Sequence, residues 1–84
     1  INKMTNLEKY DKAFLSNLKV TKDQLPGLKY RGIEAWDSVA HMDLIADLED
    51  AFDIMMEMKD ILDFNSYEHG KVVLKEVYGV DVEK

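Results

Sequence analysis

The 84-residue chain has no cysteine, a single proline, a single tryptophan and four glycines. Without cysteine there is no disulfide staple, no thiolate metal site and no cysteine nucleophile. A small domain without staples fits a reducing compartment, and a cytoplasmic location is expected. Long apolar runs are missing too. The longest is three residues, as in Ile54-Met55-Met56, whereas a membrane span needs about 20. No apolar leader opens the chain, so no secretory signal is expected, and a start at Ile1 implies a processed or trimmed beginning. Positive charge is scarce. The net charge is −6, which argues against a phosphate-backbone partner, since that needs a basic face.

Apolar residues make up 46% of the chain and charged residues 33%. That balance supports one folded domain rather than a disordered segment. The charge is unevenly spread. Residues 1–36 carry seven bases and four acids, but residues 37–63 carry nine acids and only Lys59. The natural partner of such an acidic block is a basic protein surface.

The apolar spacing predicts helices. Leu7, Tyr10, Phe14 and Leu18 fall on one face of a 3.6-residue period, behind a Thr5-x-x-Glu8 capping box. This helix is expected to fade near Lys19. Residues 20–37 read as a long connection in which Pro26-Gly27 breaks any helix. Val20, Leu25, Leu28, Tyr30, Ile33 and Trp36 run through it, so it is expected to cover one end of the core. The strongest helix spans about 38–52 and starts within a residue of Ser38, with His41, Leu44 or Ile45, Leu48 and Phe52 inward. A methionine-rich connection follows over 53–58, with Met55, Met56 and Met58 as core or groove lining. A short helix is expected from Lys59 to Phe64, and a last one from Ser66 to Tyr78 with Tyr67, Gly70, Val73 or Leu74, and Val77 inward. Gly79 suits a C-cap, and Gly70 implies a close helix–helix approach. Residues 79–84 are expected to fray.

Trp36-Asp37-Ser38-Val39 opens the acidic helix. In this context the sequence resembles the acyl carrier protein family. The likeness lies in the Asp37-Ser38 pair before an apolar residue, in the helix running on to Phe52-Asp53-Ile54, and in Asp60-Ile-Leu-Asp-Phe-Asn-Ser66 downstream. It extends over about residues 6–78. The resemblance implies an all-α four-helix bundle, with three main helices, one short helix and a long first loop, as a single carrier domain over 1–84. It also implies a carrier rather than an enzyme. A phosphopantetheinyl transferase would attach 4'-phosphopantetheine from coenzyme A to Ser38, with Asp37 aiding recognition. The arm would hold acyl or aminoacyl groups as thioesters. Loading and processing enzymes with basic surfaces would dock on Val39, Met42, Asp43, Ala46, Asp47, Asp50 and Asp53, and the chain would be a monomer. Trp36 and Val39 make the motif look more like stand-alone carriers of specialised pathways than like the fatty-acid carrier.

Simpler readings stand beside these. A serine at a helix start, taken alone, is a cap. The acidic run, taken alone, is a solvated face, and no calcium-loop pattern is present. Ser38 and His41 are neighbours on a helix, as in a hydrolase pair, but no glycine elbow accompanies them. His41 instead reads as a packed histidine and His69 as a surface one. An unmodified helical adaptor of similar fold is the alternative function.

Overall fold

The computed structural model describes residues 4–83 and is mostly helical, with no strand among them. Four α-helices follow in order: α1 (Asn6–Leu18), α2 (Ser38–Phe52), α3 (Met58–Asp63) and α4 (Tyr67–Tyr78). None is long and apolar enough to cross a membrane among the described residues.

Local chemistry sets most helix ends. The Glu8 N–H donates to Thr5 Oγ1 at 3.1 Å, and the Thr5 N–H donates to Glu8 Oε1 at 2.8 Å. This reciprocal box satisfies two donors at the start of α1. Ser66 Oγ accepts from the His69 N–H at 2.9 Å and starts α4. Gly79, at φ 68°, ends it, and the Val80 N–H donates back to Leu74 O at 3.0 Å. That left-handed turn is the usual use of a C-cap glycine. α3 begins one residue earlier than expected and stops at Asp63.

The long connection holds a surprise. Lys22–Gly27 is a short 3-10 helix that contains both Pro26 and Gly27. A tight turn of this kind needs few N–H donors, so proline's missing one does not break it. Its Thr21 cap is held by Gln24, whose Oε1 accepts from the Thr21 N–H at 2.9 Å. Beyond it, the chain is tied to the start of α4. Tyr30 N–H donates to Asn65 O and Tyr67 N–H to Leu28 O, both at 2.9 Å.

The core lies between α1, α2 and α4. An aromatic cluster fills it. Phe14 sits 4.9 Å from Tyr10, 5.5 Å from Trp36 and 5.2 Å from Tyr67, measured between ring centres. Phe64 closes the lower side, and Leu18, Leu44, Ile45, Leu48 and Leu74 complete the packing. Gly70 sits where the sequence demands closeness. A methyl group there would meet the Tyr10 hydroxyl and the Phe64 ring, whose Cε2 is 2.7 Å away.

Three expectations are corrected. Val77 is half exposed rather than inward, because α4 turns Val73 and Leu74 to the core instead. Of the methionines in the connection, only Met56 is buried. The C-terminal segment does not fray. Val82 is 2% exposed, Asn6 Nδ2 donates to Asp81 O at 3.0 Å, and Lys71 pairs with Glu83 at 2.8 Å. Burying a valine offsets the entropy of ordering a few residues. Ile1 and Lys84 lie outside the described residues.

Candidate functional site

Ser38 is the first residue of α2, and its placement begins in the loop before it. Arg31 N–H donates to Trp36 O at 3.0 Å, and Trp36 N–H donates to Ile33 O at 3.2 Å. The closed turn seats the Trp36 side chain in the core, fully buried. One residue later, Asp37 caps α2. Its Oδ1 accepts from the Ala40 N–H at 2.9 Å, and its carbonyl accepts from the His41 N–H at 2.9 Å. The chain thus goes from a buried anchor to an exposed cap to an exposed serine within three residues.

The Ser38 hydroxyl takes no hydrogen bond among the described residues, and neither do the backbone N–H groups of Ser38 and Val39. Unpaired N–H groups at a helix start carry partial positive charge and suit an anion. A hollow of about 280 Å³ lies beside this point, walled by Arg31, Gly32, Ile33, Glu34, Trp36 and Asp37.

His41 turns away from Ser38. Trp36 Nε1–H donates to its Nδ1 at 3.0 Å, and its Nε2 lies 2.9 Å from Ile61 O. An indole N–H only donates and a carbonyl only accepts, so Nδ1 is the acceptor and Nε2 carries the proton. Both ring nitrogens are committed inside the fold. The Ser38–His41 pair of a hydrolase is not assembled.

The other expected site residues are all exposed. Val39, Met42, Asp43, Ala46, Asp50 and Asp53 lie on the face of α2 opposite the buried His41, Leu44, Ile45 and Leu48. At 3.6 residues per turn that follows from their numbers alone. Asp53 is also the C-cap of α2, in a left-handed turn at φ 53°. Asp47 lies at the edge of the face. Its carboxylate accepts from Asn17 Nδ2 of α1 at 2.7 Å. Asp47 and Asp50 share a groove of about 310 Å³ with Lys9 and Lys12 of α1. His69 is on the surface as expected, 3.0 Å from Asp63. No set of three or more potential ligands for a metal ion is grouped among the described residues.

Sequence reasoning missed Leu62, Met55 and Met58 as surface residues. The available signal was the spacing of Met58 and Leu62, four apart on one side of the short helix.

No protein-family model, no curated protein and no solved structure matches this chain.

Proposed function

We propose that the chain is a carrier protein of the acyl carrier type, a four-helix bundle whose Ser38 bears 4'-phosphopantetheine. The single observation that carries this reading is the exposed, unbonded Ser38 hydroxyl on a rigid helix start. A modifying enzyme needs a nucleophile that is accessible yet fixed in position. Trp36 supplies the fixing and the α2 start supplies the access. Attack by Ser38 Oγ on the pantetheine-side phosphorus of coenzyme A would form an oxygen–phosphorus bond to the serine, break the pyrophosphate link and release adenosine 3',5'-bisphosphate. The serine proton passes to a base of the transferase.

The residues present fit the group. The N–H groups of Ser38 and Val39 have no partner among the described residues and would favour a phosphodiester anion at this helix start. Asp37 holds those N–H groups in place by capping the helix, and its exposed edge is available to the transferase. When bound, the arm supplies a thiol that carries acyl or aminoacyl groups as thioesters. This chain's part is presentation. Its acidic α2 face orients basic partner enzymes, and charge of this kind governs encounter rate and orientation more than affinity. On this reading the protein works as a cytoplasmic monomer.

The test is intact-protein mass after incubation with coenzyme A and a broad-specificity phosphopantetheinyl transferase. The parent chain is expected to gain one phosphopantetheine and Ser38→Ala none. No gain with several transferases overturns the reading. An unmodified adaptor that recruits proteins through the same acidic face then takes its place.

A further inference from the structure

The chain has one tryptophan and two histidines. The fold joins that tryptophan to one of those histidines inside the core. Trp36 Nε1–H donates to His41 Nδ1 at 3.0 Å, and His41 Nε2–H donates to Ile61 O at 2.9 Å. Trp36 is fully buried and His41 is 7% exposed.

The Trp36–His41 bond exists only while the ring is neutral. An indole N–H cannot accept, so a proton on Nδ1 would set two donors against each other. It would also place a positive charge inside the fold, which is costly without a partner. Neither ring nitrogen is bonded to a carboxylate that could hold such a charge. Histidine is the side chain that takes up a proton between about pH 5 and about pH 8.

The groups around the ring offer no substitute partner. Tyr30 of the loop and Phe64 after α3 stand with ring centres at 5.0 and 6.2 Å. A phenol keeps its own proton through that pH range. The charged groups of the same segments are engaged elsewhere or exposed. The Arg31 guanidinium lies 5.5 Å from the Tyr30 ring centre, and Asp37 Oδ1 accepts from the Ala40 N–H. Asp60 accepts from the Tyr78 hydroxyl at 2.7 Å, and Asp63 is 3.0 Å from His69. Lys29, Glu34, Asp43 and Lys59 are exposed.

What the bond holds is the approach to Ser38. Trp36 ends the loop two residues before Ser38, and its side chain is the buried anchor of that loop. The His41 backbone N–H donates to Asp37 O at 2.9 Å. One residue thus secures this step twice, Trp36 by its ring and Asp37 by its backbone.

We propose that His41 is a positioning residue for Ser38, a latch that holds the start of α2 while its ring is neutral and releases Trp36 when the ring takes up a proton. Its effect on modification rests on the carrier reading, whereas the latch itself does not. His69 responds in the opposite sense, since a proton there strengthens its pairing with Asp63.

Because Trp36 is the sole tryptophan, its fluorescence and its indole N–H resonance report on the latch directly. Both are expected to change between about pH 7.5 and about pH 5.5, together with the amide signals of Asp37, Ser38 and Val39. The His41 ring signals should move with the same midpoint as the indole signal, a comparison that needs no variant. His41→Gln offers an acceptor and a donor that do not titrate, and should abolish the change. His69→Gln should retain it. With coenzyme A and the transferase, the parent's rate divided by that of His41→Gln should fall about tenfold over the same range. A histidine that only packs would leave that ratio constant. An indole signal indifferent to pH, one that follows the His69 ring, a change undiminished in His41→Gln or a constant rate ratio overturns the proposal. Failure of the carrier reading would show as no mass gain at any pH, with the indole signal still deciding the latch.

Discussion

At the scale of single residues, His41 shows how much a side chain's role depends on its partners. Its spacing marks it as inward, and its chemistry leaves a nucleophile's base open. The structure closes that option by giving Nδ1 to Trp36 and the Nε2 proton to Ile61. The ring thereby joins the end of the long loop, the start of α2 and α3. Replacing it with leucine keeps the bulk but strands a buried indole N–H and a backbone carbonyl. His41→Leu is expected to cost about 2–6 kcal/mol, since each of the two unsatisfied buried groups costs roughly 1–3. The shift in urea midpoint measures it, and a midpoint equal to the parent's would refute this role.

Two tyrosines make the fold sensitive to alkali. Burial pushes the Tyr10 hydroxyl well above its ordinary range, and neighbouring negative groups add to the effect. Tyr67 is raised by burial and then by its hydrogen bond to Asp11. Tyr10 in turn donates to Tyr67 O at 2.6 Å. In the unfolded chain both titrate near 10.0. The folded state therefore holds these protons more tightly. Their contribution to stability is fully present below about pH 10 and is lost as pH rises further. Urea midpoints should be insensitive to these groups up to about pH 9 and fall above about pH 10. Tyr67→Phe should be less stable throughout, because it strands Asp11, yet show a shallower alkaline fall.

At the scale of elements, the helix starts were legible because they depend on neighbours in sequence. The Thr5–Glu8 box, the Ser66 cap and the Asp37 cap each join residues three apart. The 3-10 helix at Lys22–Gly27 was not legible, since Pro26-Gly27 is a breaker pattern in most settings. The ordered segment after Gly79 was not legible either. Its order comes from Val82 meeting a core assembled by distant residues. Gly70 lies between these cases. A glycine inside a helix costs about 1 kcal/mol against alanine, so its presence signals a need for space. Only the packing shows that the space is taken by Phe64 and Tyr10. Gly70→Ala is accordingly expected to destabilise by roughly 1–3 kcal/mol, the range for overpacking, despite alanine's better helix propensity. Thermal unfolding of the two chains decides the sign.

At the scale of the whole molecule, the dominant feature is charge kept apart from charge. The first 36 residues are net basic and the next 27 strongly acidic. α1 and α2 lie side by side, and Lys9, Lys12, Asp47 and Asp50 line one groove between them. Asp43 and Asp53 lie outside that groove, exposed on the other side of α2. Encounter with a basic enzyme should therefore be steered mainly by that side. On the carrier reading, the rate of phosphopantetheine transfer to Ser38 should fall several-fold between about 50 and about 300 mM salt. Asp43→Lys should lower the low-salt rate and flatten the salt dependence. A rate indifferent to both would remove the acidic face from recognition.

The sequence by itself determined the helical class, the four α-helices, the capping box of α1, the Ser66 and Gly79 caps of α4 and the position of Ser38 at a helix start. All of these rest on periodicity and on side chains bonding to backbone within one turn. It also determined the acidic block, which is a matter of counting. Tertiary structure decided which way His41 points, that the C-terminal valines are packed, and that Met55, Met58 and Leu62 face outward while Met56 does not. These outcomes depend on which surfaces meet once residues far apart in the chain share one core, and no local pattern carries that information.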